Sequence, residues 1–501
     1  MKFPTRAVAL AAAALLAVTA CSAGSSTSSG SSPGGGQNLA IGLVAEPASL
    51  DFTTTDGAAI PQALLGNVYE TLVKQDDSGK IVPSLAKSWQ VSPDRKTYTF
   101  DLVDNAKFTN GKQFTASDAV FSINRVKTAW TISLKSAMDV VADAKALSPT
   151  QLQVTLAKPS NDWLFRMTTR IGAMFSESGV SALATDPVGT GPFKFSKWNR
   201  GDSIVLVRND GYWGTKPNFA QITLKYFKDA TALNNALLTS TINVIGTVQA
   251  PEALSQFTSN SKYQVIEGTT NGEVLLSFNN SRPVFKDIRT RQAIRMAIDH
   301  KALLDTCWAG RGKLIGSMVP PTDPWYEDLT GVAPYDLAKA KSLLQASGAA
   351  GKTLRLRLPT LPYATSCGQV VKSDLEQAGL KVQIDQLEFP AAWLTTVFKN
   401  ADYDMSIIAH VEPRDLGAVF GNPKYYTRYD DPTLQADLAA ADAGDEATQV
   451  ADLKKAARRI SEQAAGDWLF LLPNLMVADK DIKGLPTNAI TEAFDLSQLS
   501  R

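Results

Sequence analysis

Apolar positions along this chain switch repeatedly between two spacings. Leu39 to Val44 is a short apolar run of the length of a buried strand, and Glu46-Pro47-Ala48-Ser49-Leu50-Asp51 after it reads as a loop. From Ile60 to Val73 the spacing becomes helical through Leu64, Leu65, Val68 and Leu72. Tyr98 to Leu102 alternates as a strand does, and Asn105 to Gly111 reads as a turn. Ser117 to Val126 then sets Val120, Phe121, Ile123 and Val126 on one helical face. Strand and helix signals keep alternating, which predicts α/β or α+β domains rather than a repeat array or an all-β sandwich.

The N-terminus departs from that alternation. Lys2 and Arg6 precede an uncharged apolar stretch, Ala7 to Val18, which has the layout of a secretory signal and is too short to span a membrane. Val18-Thr19-Ala20-Cys21 resembles the bacterial lipobox, whose cysteine is diacylated and becomes the first residue of the mature chain. Ser22 to Gln37, almost wholly Gly, Ser, Thr and Pro, is too polar to pack and reads as a flexible leash. The expectation is a signal peptide over 1–20, a lipidated Cys21 with a linker over 21–37, and a body tethered at the extracytoplasmic face of the cell membrane.

Charge and cysteine usage narrow the class. Lys and Arg total 50 against 49 Asp and Glu, so no strong field favours nucleic acid and no basic run grips a membrane. The body is too long for one core and fits about two or three domains. Beyond Cys21 stand Cys307 and Cys367; in an exported protein this pair reads as one disulfide, with two buried thiols as the alternative. His300 and His410 have no second soft ligand near them in sequence, so neither a metal site nor a cofactor is expected.

Short motifs then follow one another in a fixed order. Ser49-Leu50-Asp51, Asn67 to Leu72 (Asn-Val-Tyr-Glu-Thr-Leu), Pro83-Ser84-Leu85-Ala86 with Ser88-Trp89, Tyr98-Thr99-Phe100, Lys107-Phe108 with Gly111-Lys112, and Phe114 to Val120 come first. Gly189-Thr190-Gly191-Pro192-Phe193 with Trp198, Arg208-Asn209 with Tyr212-Trp213, Phe278-Asn279, Arg289 to Asp299 and Ala338 to Gly348 continue the series. In this order, over nearly all of the mature chain, they resemble family 5 of the extracytoplasmic solute-binding proteins, the peptide-type receptors of ATP-driven importers. Taken singly, Asn67 to Leu72 and Arg289 to Asp299 read as packing helices. Gly189 to Phe193 reads as an interdomain turn; it lacks the third glycine of a dinucleotide loop.

The resemblance implies a two-lobed, periplasmic-binding-protein-like α/β fold, type II, in the large family 5 form with an extra domain. Domain I would comprise 38–75, 186–268 and 476–501, domain II the insertion 76–185, and domain III residues 269–475. Crossings near Gly272 to Asn280 and near Pro473 to Val477 would form the hinge, with ligand in the cleft. It further implies a monomeric, lipid-anchored binding protein rather than an enzyme, delivering a small solute, in the first place a short peptide, to an ABC permease with a cytoplasmic ATPase.

Such a receptor needs a few preorganised polar groups in a closing cleft. In the resembled family the informative stretch follows a strand late in domain III, where an aromatic precedes acidic residues and an aspartate often pairs with a peptide ammonium. Here the strand is Tyr403 to Ile408 and the loop reads Ala409-His410-Val411-Glu412-Pro413-Arg414-Asp415-Leu416. His410 stands about where the family often has tryptophan, the acid falls on Glu412 or Asp415, and Arg414 is interposed. An acid with an ammonium and Arg414 bidentate to a carboxylate would together suit a zwitterion; the plainer alternative is a surface ion pair. Trp393 matches a cleft tryptophan in parts of the family, with core packing as the alternative. Tyr425 and Tyr426 would line the same mouth or pack as a loop. Asn271 and Glu273, at the expected hinge, face ligand or are satisfied by backbone, and Trp325 with Tyr326 reads as a packed loop.

A secreted hydrolase is disfavoured, since the two histidines leave few parts for it and no nucleophile motif stands in a promising context. An adhesion or signalling module of the same fold stays open, as do opines, sugars and metal complexes as solutes.

Overall fold

Two long antiparallel strands, Tyr263–Phe278 and Gly466–Asp479, run through the middle of a ten-stranded mixed sheet. The structure is a computed structural model that describes residues 37–501; the expected signal peptide, Cys21 and the linker as far as residue 36 lie outside the described residues. Tyr263 to Thr269 pair with Asp479 to Pro473, the register then slips, and Glu273 to Ser277 pair with Leu471 to Gly466. On one side of the slip the sheet continues through Val244–Ile245, Asn38–Leu43, Gln221–Tyr226, Ser203–Arg208 and Phe193–Asn199. On the other it continues through Met405–His410, Thr353–Pro359 and Lys381–Leu387. The central pair therefore carries the chain between two halves, and an irregular ladder at their junction is where a sheet bends.

A separate four-stranded antiparallel sheet, Ala86–Val91, Thr97–Leu102, Gln151–Leu156 and Val141–Ser148, backs the helix Ala116–Ala129. The alternation in Thr97–Leu102 works as its period demands: Tyr98, Phe100 and Leu102 are buried, and their neighbours are partly exposed. The helix starts at Thr115, whose backbone N–H donates to Asp118 Oδ2 at 3.0 Å.

The expected helix over Ile60 to Val73 is shorter than its spacing predicts. It spans Ala59–Leu64; Leu65 is extended and Gly66 takes φ +75, which stops it. Asn67 to Leu72 is therefore a turn and bridge segment, not a packing helix. Asn67 Nδ2 donates to Ala63 O at 3.2 Å and to Phe494 O at 2.8 Å. A Cβ at Gly189 or Gly191 would run into the backbone of Val68 or Asn67, so the glycines allow that close crossing. The buried Glu70 carboxylate ties it down, accepting from Thr190 Oγ1 at 2.8 Å, Tyr212 O–H at 2.7 Å and Trp213 Nε1 at 2.8 Å. Three of the sequence motifs thus meet around one structural carboxylate.

The helix expected over Arg289 to Asp299 is Ile288–Ala297, with Ala293 and Ile294 fully buried and Ile298 buried just past its end. Cys307, on the helix His300–Trp308, is disulfide-bonded to Cys367 on the helix Pro362–Gln377, with Cα atoms 4.9 Å apart. Trp325 belongs to a buried apolar cluster with Leu416 and Trp468, and Tyr326 packs against it. No helix of the described residues is long and apolar enough to cross a membrane.

Candidate functional site

Chain segments far apart in sequence close around a cavity of about 130 Å³, walled by residues from 56–58, 133–134, 166–171, 389–398, 408–418, 425 and 492. One wall is apolar: Phe389, Trp393, Phe398, Ile408 and Tyr425 face it. The ionic part of the lining comprises Arg166, Arg170, Asp56, Glu412, Asp415 and Glu492.

Arg170, 1 % exposed, anchors the ionic side. Its backbone N–H donates to Glu492 Oε2 at 2.8 Å, its Nε to Glu492 Oε1 at 2.9 Å, its Nη1 to Gly57 O at 3.2 Å and its Nη2 to Glu412 Oε1 at 3.3 Å. Burial works against the guanidinium charge, but Glu492, Glu412 and Asp56 outweigh it and hold its pKa above the ordinary value. Arg166, at the end of the short helix Asn161–Arg166, donates to Asp162 Oδ2 at 2.9 Å and to the carbonyls of Pro413 at 3.3 Å and Arg414 at 2.9 Å. It thereby grips the 411–415 loop through its backbone. Burial raises the pKa of Asp56, partly offset by Arg170.

The strand expected over Tyr403 to Ile408 runs from Met405 to His410, so Ala409 and His410 belong to the sheet, and His410 pairs with Glu273. His410 Nε2 lies 2.8 Å from the Tyr426 hydroxyl, its ring stacks on that of Tyr426, and its Nδ1 is 3.4 Å from Asp415 Oδ2. His410, Glu412 and Asp415 each offer one donor atom, all within 4.8 Å of one another. Burial raises the pKa of Asp415, opposed by His410.

Of the residues singled out in sequence, His410, Glu412, Asp415 and Trp393 line the cavity. Trp393 also donates from Nε1 to Ser406 Oγ at 3.1 Å, which fixes its ring. Arg414 does not line it. With φ +57 its side chain turns to the far side of the loop, against the rings of Phe165 at 3.9 Å and Trp325 at 4.9 Å, with Asp323 at 4.0 Å. There it borders a neighbouring cavity with Asp323 and Asn271. Tyr426 stands one layer back, 1 % exposed behind His410 and Trp393, and it is Tyr425 that reaches the cavity wall. Glu273 is likewise behind the wall: it is 1 % exposed and its Oε2 has no hydrogen-bond partner among the described residues. Burial and the nearby Asp415 push its pKa well up. Asn271 donates to Ile490 O at 2.7 Å, the backbone-satisfied alternative.

Sequence reasoning missed Arg166, Arg170, Asp56 and Glu492. The signal available was an arginine pair four apart at the edge of the apolar run Ile171 to Phe175; nothing local points from it to residues 412 or 492.

A family model described as bacterial extracellular solute-binding proteins, family 5 middle, matches residues 80–430. The nickel-binding periplasmic protein of Escherichia coli K12 is 32% identical over 354 residues, 63% of this chain and 65% of that protein. The dipeptide-binding protein of the same organism is 25% identical over 371 residues, 67% of this chain and 68% of its own length. The chain thus spans about two thirds of these curated relatives. Among solved structures, the ABC transporter-associated periplasmic binding protein DppA from Helicobacter pylori, in complex with the peptide STSA, superposes with a TM-score of 0.84. It is 23% identical, covers 93% of this chain and 98% of its own, and shows that the two-lobed fold is shared.

Proposed function

This chain belongs to family 5 of the bacterial extracellular solute-binding proteins, and from that premise we propose that it is the substrate-binding protein of an ABC importer. It captures a small solute, in the first place a short peptide, between its lobes and delivers it to a permease. The observation that supports this reading is the cavity itself: aromatic surface on one wall, fixed charges on the other, and segments from 56 to 492 joined around it. Concave apolar sites with a few oriented polar groups are what small-solute recognition requires, and no nucleophile is needed for capture. The relatives named above are binding proteins for nickel and dipeptides, in keeping with a receptor rather than a catalyst.

The lobes in this reading are domain I (38–75, 186–268, 476–501) with the insertion 76–185, and domain III (269–475), moving about the central strand pair. A lipidated Cys21 holds the monomer beside its permease. Trp393 and Tyr425 supply stacking surface, and Glu412 or Asp415 receives a ligand ammonium.

A second reading, a metal chelate as solute, is favoured by the approach of His410, Glu412 and Asp415 to within 4.8 Å. Native mass spectrometry of protein purified without denaturation separates the two. A one-to-one adduct with a peptide mass, or with a metal isotope pattern, is expected; calorimetry of that solute should then lose about tenfold or more in Trp393→Ala and Glu412→Gln. Unchanged affinity in both variants would contradict the site.

A further inference from the structure

Resting on the reading of this cavity as the solute site, we propose that the solute it selects carries a surplus of positive charge, because the cavity's carboxylates outnumber its free cations. Asp56, Glu412, Asp415 and Glu492 line it together with Arg166, Arg170 and His410, the last a cation only when protonated. Neither guanidinium has an open fork. Arg170 is divided between Glu492 at 2.7 Å and Glu412 at 3.3 Å, and Arg166 is committed to Asp162 at 2.9 Å and to two loop carbonyls. A ligand carboxylate would have to displace one of these partners.

Two acids are left over on the wall. Asp415 is 5 % exposed, and its Oδ2 has no hydrogen-bond partner among the described residues, with His410 Nδ1 at 3.4 Å as its nearest ionisable neighbour. Asp56 is offset chiefly by Arg170, which already serves two glutamates. Behind Asp415 lies a third, Glu273, with its Oε2 unpartnered as well. A buried unpaired carboxylate either takes up a proton or waits for a cation.

The aromatic part of the lining suits the rest of such a solute. Trp393, Phe398 and Tyr425 line the cavity and pack against one another, and aromatic rings attract organic cations while covering an alkyl stem. The class is therefore an amphipathic organic cation, such as a basic short peptide without a compensating carboxylate. A divalent metal ion held by His410, Glu412 and Asp415 is the other source of the same charge.

Calorimetry with four probes at one ionic strength tests this: dialanine, alanyl-glutamate, lysyl-alanine amide and nickel chloride alone. The cationic amide, or Ni²⁺ alone, should bind about tenfold or more tighter than dialanine, with alanyl-glutamate weakest, and which cation wins identifies the source. Asp415→Asn should weaken that cation about tenfold or more and narrow its margin over dialanine, whose single ammonium is offset by its own carboxylate; a merely structural role would weaken all probes alike and leave the margin unchanged. Asp56→Asn, on a separate segment, carries the same expectation and guards against a local folding defect. Equal or tighter binding of dialanine or alanyl-glutamate overturns the charge inference and leaves the solute-binding reading standing. No binding of any probe at millimolar concentration overturns both.

Discussion

Arg170 and Asp323 show how burial and charge divide the work around the cavity. Arg170 is compensated twice over by Glu492 and Glu412, so its charge is secure. Asp323, on the far side of the 411–415 loop, has Arg414 at 4.0 Å and Arg166 as compensating cations, and burial nonetheless raises its pKa to about 6 from an ordinary 3.8. Between those two values the folded chain keeps a proton that the unfolded chain has lost. Stability from this residue therefore falls as pH rises from about 4 to about 6 and is level above. Asp323→Asn removes that cost. Its stability advantage over wild type in urea unfolding should be near zero at about pH 4 and grow to about 1–3 kcal/mol at about pH 7. An advantage that shrinks with rising pH would refute the assignment.

Among the elements, the helices His300–Trp308 and Pro362–Gln377 are locked together by the Cys307–Cys367 bridge, which closes a loop with a sequence separation of 60. The chain-entropy picture gives about 4 kcal/mol for such a loop, at the top of the typical range of about 2–4 kcal/mol. A Cys307→Ser, Cys367→Ser double variant should lose that much in equilibrium unfolding; free thiols in the oxidised wild type would contradict the pairing. Elements whose apolar positions alternate or recur locally were legible in the sequence. Tyr98, Phe100 and Leu102 mark one face of a strand, and Ala293 and Ile294 mark the buried side of a helix, because each follows its own element's period. The segment 65–72 was misread because what ends the helix is Gly66 at φ +75 and an asparagine whose partner, Phe494, lies 427 residues away. For the site, the polar cluster after the strand Met405–His410 pointed to His410, Glu412 and Asp415. A left-handed turn carries Arg414 to the far side of the loop, and Arg170, Asp56 and Glu492 become neighbours only through tertiary closure.

At the scale of the whole molecule, the cavity is not the only place where the segment around residues 160–171 meets the chain beyond residue 400. Ser160 Oγ donates to Asp442 Oδ1 at 2.6 Å and the Asp162 backbone N–H to the same oxygen at 3.0 Å. Asn161 Nδ2 donates to the carbonyls of Ala441 at 2.9 Å and Gly444 at 2.8 Å. Asp442 thus fastens the start of the helix Asn161–Arg166, which carries Arg166 to the cavity at its other end. Removing a charged acceptor of two donors costs about 1–3 kcal/mol, which falls on the closed form alone if the contact is broken on opening. Asp442→Ala should therefore weaken solute binding by about tenfold and enlarge the radius of gyration in small-angle scattering, with the cavity residues untouched. Unchanged affinity and radius would show that this contact persists in both states.

The central claim is that solute is held between the aromatic wall at Trp393 and the ionic wall at Asp415 and Arg170. A crystal structure of the protein purified with its native solute tests it most directly. The account predicts ligand density in contact with Trp393 and Tyr425, a cationic group of that ligand at hydrogen-bonding or coordinating distance from Asp415 or Glu412, and Arg170 still bound to Glu492. Density for the solute outside this cavity, or a ligand carboxylate seated on Arg170 in place of Glu492 and Glu412, would contradict it.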